Sequence, residues 1–134
     1  MKKLFSIILA TLFISIGSAK AIDKDSNNDW SDIDILFLIW TAEDVEFFVP
    51  SINGAHDAAE DQGISMYMEF GDSDTAKTND IIETAIANGV DGIAMTVWDD
   101  DAFDEIVCKA MDAGIPVVLH NIDDSQRAKG NCRL

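Results

Sequence analysis

Apolar and polar positions between residues 33 and 121 fall into blocks with two different periods. Short apolar runs at 33–40, 64–70, 92–97 and 116–120 read as strands, and between them apolar residues recur at helical spacing. The run 33–40 is apolar on both alternating faces except for Asp34. That is the pattern of a strand covered by helices on both sides, and so of a central strand. Residues 64–70 alternate instead, with Ile64, Met66, Met68 and Phe70 on one side and Ser65, Tyr67 and Glu69 on the other. This strand is expected at a sheet edge with one face partly wet.

The helices follow from the same pattern. A loop over 41–46 leads through Phe47 and Phe48 into a first helix with Pro50 in its first turn, where a missing N–H costs nothing; Phe48, Ile52, Ala55 and Ala59 mark one face. Asp72, Ser73 and Asp74 form a turn that offers caps, and Ile81, Ile82, Ala85 and Ile86 give the buried stripe of a second helix. The third is expected to start on the capping carboxylates of residues 99–101 and to bury Phe103, Ile106, Val107, Ala110 and Met111. All three end alike, at Gly63, Gly89 and Gly114, with each glycine expected in the left-handed conformation that turns a helix into the next strand.

Four strands and three helices therefore alternate strictly. A helix between two strands carries the chain back along the sheet, so the strands must be parallel. The expected class is α/β, an open parallel sheet of the Rossmann-like or flavodoxin-like kind, with strand order 2-1-3-4. Ligands of such sheets sit at the carboxyl ends of the strands, here around Trp98 and Asp99 and around His120 and Asn121.

The flanks differ. Lys2 and Lys3, an apolar run over 4–17 and the small-x-small site Ala19-Lys20-Ala21 make a secretory signal peptide, with cleavage expected after Ala21. The run is shorter than the roughly 20 apolar residues of a spanning helix. Residues 22–32 are polar and read as a flexible mature start, which leaves 33–134 as the folded part. After Asn121 the chain turns polar, where a further helix or strand is expected.

Charge narrows the function. The chain has 25 acidic and 9 basic residues, a net charge of −16, and cleavage removes Lys2, Lys3 and Lys20 but no acid. Such a chain is no nucleic-acid binder, because the phosphate backbone demands a basic surface. Most carboxylates lie at helix starts or on polar helix faces and read as solvated surface rather than a metal site. Cys108 and Cys132 are the only cysteines; an exported chain can pair them, which contributes about 3 kcal/mol if the geometry allows. No CxxC or Cys–His spacing marks zinc, and no GxGxxG, P-loop, GxSxG or HExxH marks an enzyme. Asp44 and Asp99 can be imagined as a receiver-like phosphoacceptor pair, but that arrangement works in the cytoplasm. An exported flavodoxin-like α/β enzyme is the alternative that the residues alone leave open.

Several motifs now stand in order: Phe47-Phe48-Val49 leading to Asn53-Gly54-Ala55 and Ala58-Ala59; Ile82-Glu83 with Ala85-Ile86; Val90-Asp91-Gly92-Ile93; Asp101-Ala102; and Ala113-Gly114-Ile115-Pro116-Val117-Val118 with Asn121 beyond. Together they resemble the N-terminal lobe of a periplasmic sugar-binding protein of the ribose-binding type, the substrate receptor of an ABC importer. The resemblance covers 33–134 and implies a binding protein rather than an enzyme. It further implies a monosaccharide or polyol as ligand, a membrane permease as partner, a periplasmic location, and neither cofactor nor metal. Phe47 and Phe48 match the aromatic pair that stacks on the sugar ring, Asn121 matches the polar anchor for hydroxyls, and Trp98 with Asp99 falls in the loop at the cleft floor. A sugar has apolar CH faces and a hydroxyl rim, so flat rings and amide or carboxylate groups suit it.

The resemblance has departures. Val45-Glu46 stands where the family usually has Asn-Pro or Asp-Pro, so one hydroxyl-binding group is absent or comes from Glu43 or Asp44, and Ile122 stands where some relatives carry arginine. The family has two hinged lobes, and this sequence corresponds to part of one, for which weak or no binding alone is expected. The effector domain of a LacI-type repressor shares the fold; the signal peptide and the lack of a basic helix-turn-helix argue against it. Read without the resemblance, Phe48 lies on the helical stripe and is open to a core role, Trp98 to packing, and Asn121 to a turn or cap.

Overall fold

The computed structural model describes residues 30–98 and 102–121. Strands β1 (Asp34–Ile39), β2 (Ser65–Phe70), β3 (Gly92–Met95) and β4 (Val117–Leu119) form one sheet in the order β2-β1-β3-β4, and every neighbouring pair is parallel. Helices α1 (Val49–Gln62), α2 (Thr75–Asn88) and α3 (Asp104–Asp112) make the crossovers, with one 3-10 turn, Glu46–Phe48, before α1. The alternation, the order and the central place of β1 are those expected from the hydrophobic pattern. The residues of the expected signal peptide, Asp99 and Cys132 lie outside the described residues; Cys108, in α3, is not a free thiol.

One face of the sheet carries most of the core. Leu36 and Leu38 of β1, Ile93 and Met95 of β3 and Val117 of β4 bury against Ile82 and Ala85 of α2 and Ile106, Val107 and Ala110 of α3. Fully burying each larger aliphatic side chain contributes about 1.5–3 kcal/mol. Alternation sends Ile39 to the opposite face, where it is buried, as are Phe48 and Ala59 beside it in the chain's first crossover. That face is covered less completely, and Val118, which points away from the side of Val117, is 62% exposed.

The helix stops behave as their glycines require. Gly63, Gly89 and Gly114 have φ of 68°, 72° and 85°, and the Gly63 and Gly89 N–H groups donate to carbonyls of the last helical turn. One expectation needs correction. Helix α3 begins at Asp104, later than expected, with Phe103 at its N-cap position and no side-chain cap there; Phe103 is instead 1% exposed and packs as a core ring. Strand β2 lies at the edge with one face partly wet, both as expected. Met66, Met68 and Phe70 are half-buried on one side, while Tyr67 on the other packs against the α2–α3 core, leaving Ser65 and Glu69 exposed.

The turn from β2 into α2 is the tightest point of the fold. A Cβ on Gly71 would run into Thr78 Oγ1 and come within 3.0 Å of the Trp40 carbonyl oxygen. Thr78 is itself fully buried, and its hydroxyl has no partner among the described residues. Gly71→Ala is therefore expected to cost about 1–3 kcal/mol by overpacking. Urea denaturation should show this loss, and adding Thr78→Ala should recover only part of it, because the Trp40 main chain stays close; no loss in the single variant would mean that the turn is not packed as described.

Candidate ligand-binding edge

Four parallel strands place all their carboxyl ends along one edge of the sheet. Trp40 and Thr41 leave β1 there, Gly71 leaves β2, Thr96 to Trp98 leave β3, and His120 and Asn121 leave β4. Trp40 is tied to the exits on both sides of it. Its N–H donates to Thr96 Oγ1 at 2.8 Å, and its carbonyl accepts from the Ser73 N–H at 2.7 Å. Thr96 is fully buried, and its own N–H donates to the Leu38 carbonyl at 3.0 Å. Removing its hydroxyl would strand a main-chain donor, an expense of about 1–3 kcal/mol.

The rings follow this frame. The Trp98 indole lies 5.2 Å from that of Trp40 and meets Phe103 edge-on at 4.6 Å, both within the range of favourable aromatic pairs. Trp98 is thus a half-buried packing residue at the exit of β3. The two adjacent phenylalanines divide. Phe48 is 4% exposed, while Phe47 is 69% exposed and is held edge-on against the Phe48 ring at 5.0 Å. A phenyl ring left in water and braced by a core residue offers an apolar surface that another apolar face can cover.

Asn121 stands exposed at the end of β4 with φ of 69°, a left-handed conformation that asparagine tolerates better than most side chains. Just before it, the His120 ring stacks on Phe37 at 4.5 Å, and its main-chain N–H donates to the Met95 carbonyl at 3.0 Å. Glu43, Asp44 and Glu46, in the segment that carries Phe47, and Asp72 and Asp74, after β2, are exposed; Asp72 pairs with Lys77 at 2.6 Å. Among the described residues no group of three or more His, Cys, Asp or Glu gathers to hold a metal.

The expected site residues therefore occupy one edge in separate roles. Phe47 is presented, Phe48 is core, Trp98 is built into an aromatic stack, and Asn121 ends β4 in the open; Asp99 lies outside the described residues. Trp40 and Thr96 were not singled out by sequence reasoning, although they join the exits of β1 and β3. Trp40 ends an apolar run and reads as one more strand residue, and a lone threonine in such a run carries no signal of its cross-strand bond.

His120 gives this edge a pH dependence. Burial lowers its pKa below the ordinary 6.5, and the bond to the Leu38 carbonyl opposes that only in part. The unfolded chain thus binds this proton at a higher pH than the folded one. The contribution to stability is present above pH 6.5 and is lost as pH falls from 6.5 through the folded value. Denaturant titrations at neutral and mildly acidic pH should show a smaller acid loss for His120→Gln than for the unsubstituted chain, because the carboxylates are common to both; equal losses would contradict the assignment.

Comparison with known proteins is consistent with this geometry. Residues 35–132 match the family model described as periplasmic binding protein domain. A xylose/arabinose-binding protein of Sulfolobus acidocaldarius is 36% identical over 78 residues, 56% of this chain and 19% of that protein. A periplasmic solute-binding protein of Actinobacillus succinogenes, solved with bound D-allose, superposes with a TM-score of 0.63 at 30% identity over 72% of this chain and 34% of that one. A carbohydrate transporter protein of Acidothermus cellulolyticus, in complex with myo-inositol, gives 0.66 at 29% identity, again over 72% and 34%. The chain thus spans about a third of the solved relatives and less of the curated one. With its alternating parallel architecture and its match over most of its length, the chain belongs to the periplasmic binding protein domain family.

Proposed function

We propose that this chain is exported by its amino-terminal signal and supplies a sugar- or polyol-binding face to the substrate-binding component of an ABC importer. The observation that carries the reading is Phe47, an aromatic ring 69% exposed on the ligand-binding edge and braced by a buried neighbour. In this reading Phe47 stacks on the CH face of a pyranose, furanose or cyclitol ring. Asn121 then offers both an amide donor and a carbonyl acceptor to vicinal hydroxyls.

Trp98 borders the same space, fixed by Trp40 and Phe103, with Asp99 following it in the chain. Phe48 acts through Phe47 rather than by touching the ligand. The ligands in the solved relatives support this chemistry, since D-allose and myo-inositol both combine an apolar ring face with a hydroxyl rim. The proposed partner is the membrane permease of the importer, and no chemical step is assigned to the site.

A ring resting on one edge keeps its other hydroxyls in water, so the affinity of this face alone is expected to be weak. Saturation-transfer NMR with a panel of pentoses, hexoses and cyclic polyols is suited to such binding. At least one should give transfer focused on its ring CH protons. Asn121→Ala should weaken that ligand by about 1–3 kcal/mol, the cost of a stranded polar partner, and Phe47→Ala by about 0.5–1.5 kcal/mol beyond the lost contact area. No transfer to any sugar or polyol, or transfer that both variants leave unchanged, would overturn the proposal.

A further inference from the structure

Among the described residues, β2 pairs with β1 alone and none of them covers its outer edge. The Ser65 N–H donates to the Ile33 carbonyl and the Gly71 N–H to the Ile39 carbonyl. Main-chain groups of alternate residues point to the same side of a strand, so Ser65, Tyr67 and Glu69 face β1, whereas Met66, Met68 and Phe70 present their N–H and C=O groups outward. Natural edge strands are guarded by lysine, proline or bulges. This strand has none of them, and its one charge is Glu69.

The strand is also close to self-complementary about Tyr67. We propose that two copies of this chain join through their β2 edges, antiparallel about a two-fold axis at Tyr67, to form one continuous eight-stranded sheet. That register sets Met66 opposite Met68 of the second copy as a hydrogen-bonded pair, and the symmetry repeats it, so four main-chain bonds close the edge. Tyr67 meets its own symmetry mate in the close, non-hydrogen-bonded position. Ser65 faces Glu69 at both ends, where a hydroxyl donates to a carboxylate; no like charges oppose each other within the strand pair.

A second feature of the same edge fits this arrangement. Between β2 and α2 lies a groove of about 250 Å³ lined by Tyr67, Ile81 and Thr84, with Glu69, Lys77 and Asp80 at its sides. Tyr67 lines it with its ring, and its hydroxyl is buried without a hydrogen-bond partner among the described residues. A second tyrosine beside the first brings apolar surface to half-buried Ile81. The net charge of −16 works against any self-association, and salt screens that repulsion over about 10 Å at 0.1 M. Dimerisation should therefore strengthen as sodium chloride is added, the reverse of an interface held by ion pairs.

Sedimentation equilibrium of the intact chain over two decades of concentration, at low and high salt, tests this. A monomer–dimer equilibrium that tightens with salt is expected. Ser65→Glu places like charges opposite each other twice per dimer and should raise the dissociation constant about threefold to tenfold, Ser65→Lys should lower it, and adding Glu69→Lys to Ser65→Glu should restore it. Met68→Pro removes two of the four intermolecular bonds and none of those to β1, so it should weaken association about tenfold or more while circular dichroism stays unchanged. A chain monomeric at every concentration and salt, or a dimer indifferent to these substitutions, would overturn the proposal; either result would leave the sugar-binding reading untouched.

Discussion

Parallel strands can be joined only by connections that carry the chain back to the starting edge, and every other feature of this protein depends on that requirement. It places the three helices as crossovers and gives the core its two sides, with Leu36, Leu38, Ile93 and Met95 turned toward α2 and α3. It also brings the ends of β1, β3 and β4 to one edge, although Trp40, Trp98 and Asn121 are far apart in sequence. A site on such an edge needs no special loop to assemble it. What it needs is a means of holding neighbouring exits in register, and the Trp40 N–H bond to Thr96 Oγ1 serves that purpose at the centre of the sheet.

The two phenylalanines show how packing divides labour between adjacent residues. A 3-10 turn followed by a helix rotates successive side chains by roughly 100–120°, so Phe47 and Phe48 cannot share an environment. Phe48 falls on the stripe that meets the sheet, and Phe47 is left in water with one edge against it. The expense of exposing that ring is accepted in a chain that is otherwise strongly acidic and well solvated, which is why the ring is informative. At the other end of the edge, His120 packs on Phe37 and fixes the point from which Asn121 departs.

Much of this was legible before any coordinate. The spacing of Gly63, Gly89 and Gly114 marked the αβ repeats because only a left-handed residue can end a helix so tightly, and the fully apolar 33–40 run marked the central strand. The boundaries of α3 were not legible, because the acidic run before it imitates a cap. Nor was the second role of Tyr67, since alternation assigns a side chain to a face but does not say whether a helix covers that face. Trp40, Thr96 and the Gly71–Thr78 contact were hidden for a shared reason. Each owes its importance to a partner in another strand or turn, and such pairings leave no periodic trace in the chain.

The central claim is that this edge, rather than any other surface, receives the ligand. Grooves also lie at the opposite edge, beside Gly89, Asp91 and Pro116, and between α2 and α3, beside Glu83 and Lys109. Mapping main-chain amide shifts while titrating the isotope-labelled chain with myo-inositol or D-allose distinguishes them directly. The account predicts shifts at Trp40, Phe47, Phe48, Trp98, His120 and Asn121, with Asp91, Gly114 and Lys109 unmoved; shifts confined to Asp91 and Gly114, or to Glu83 and Lys109, would contradict it.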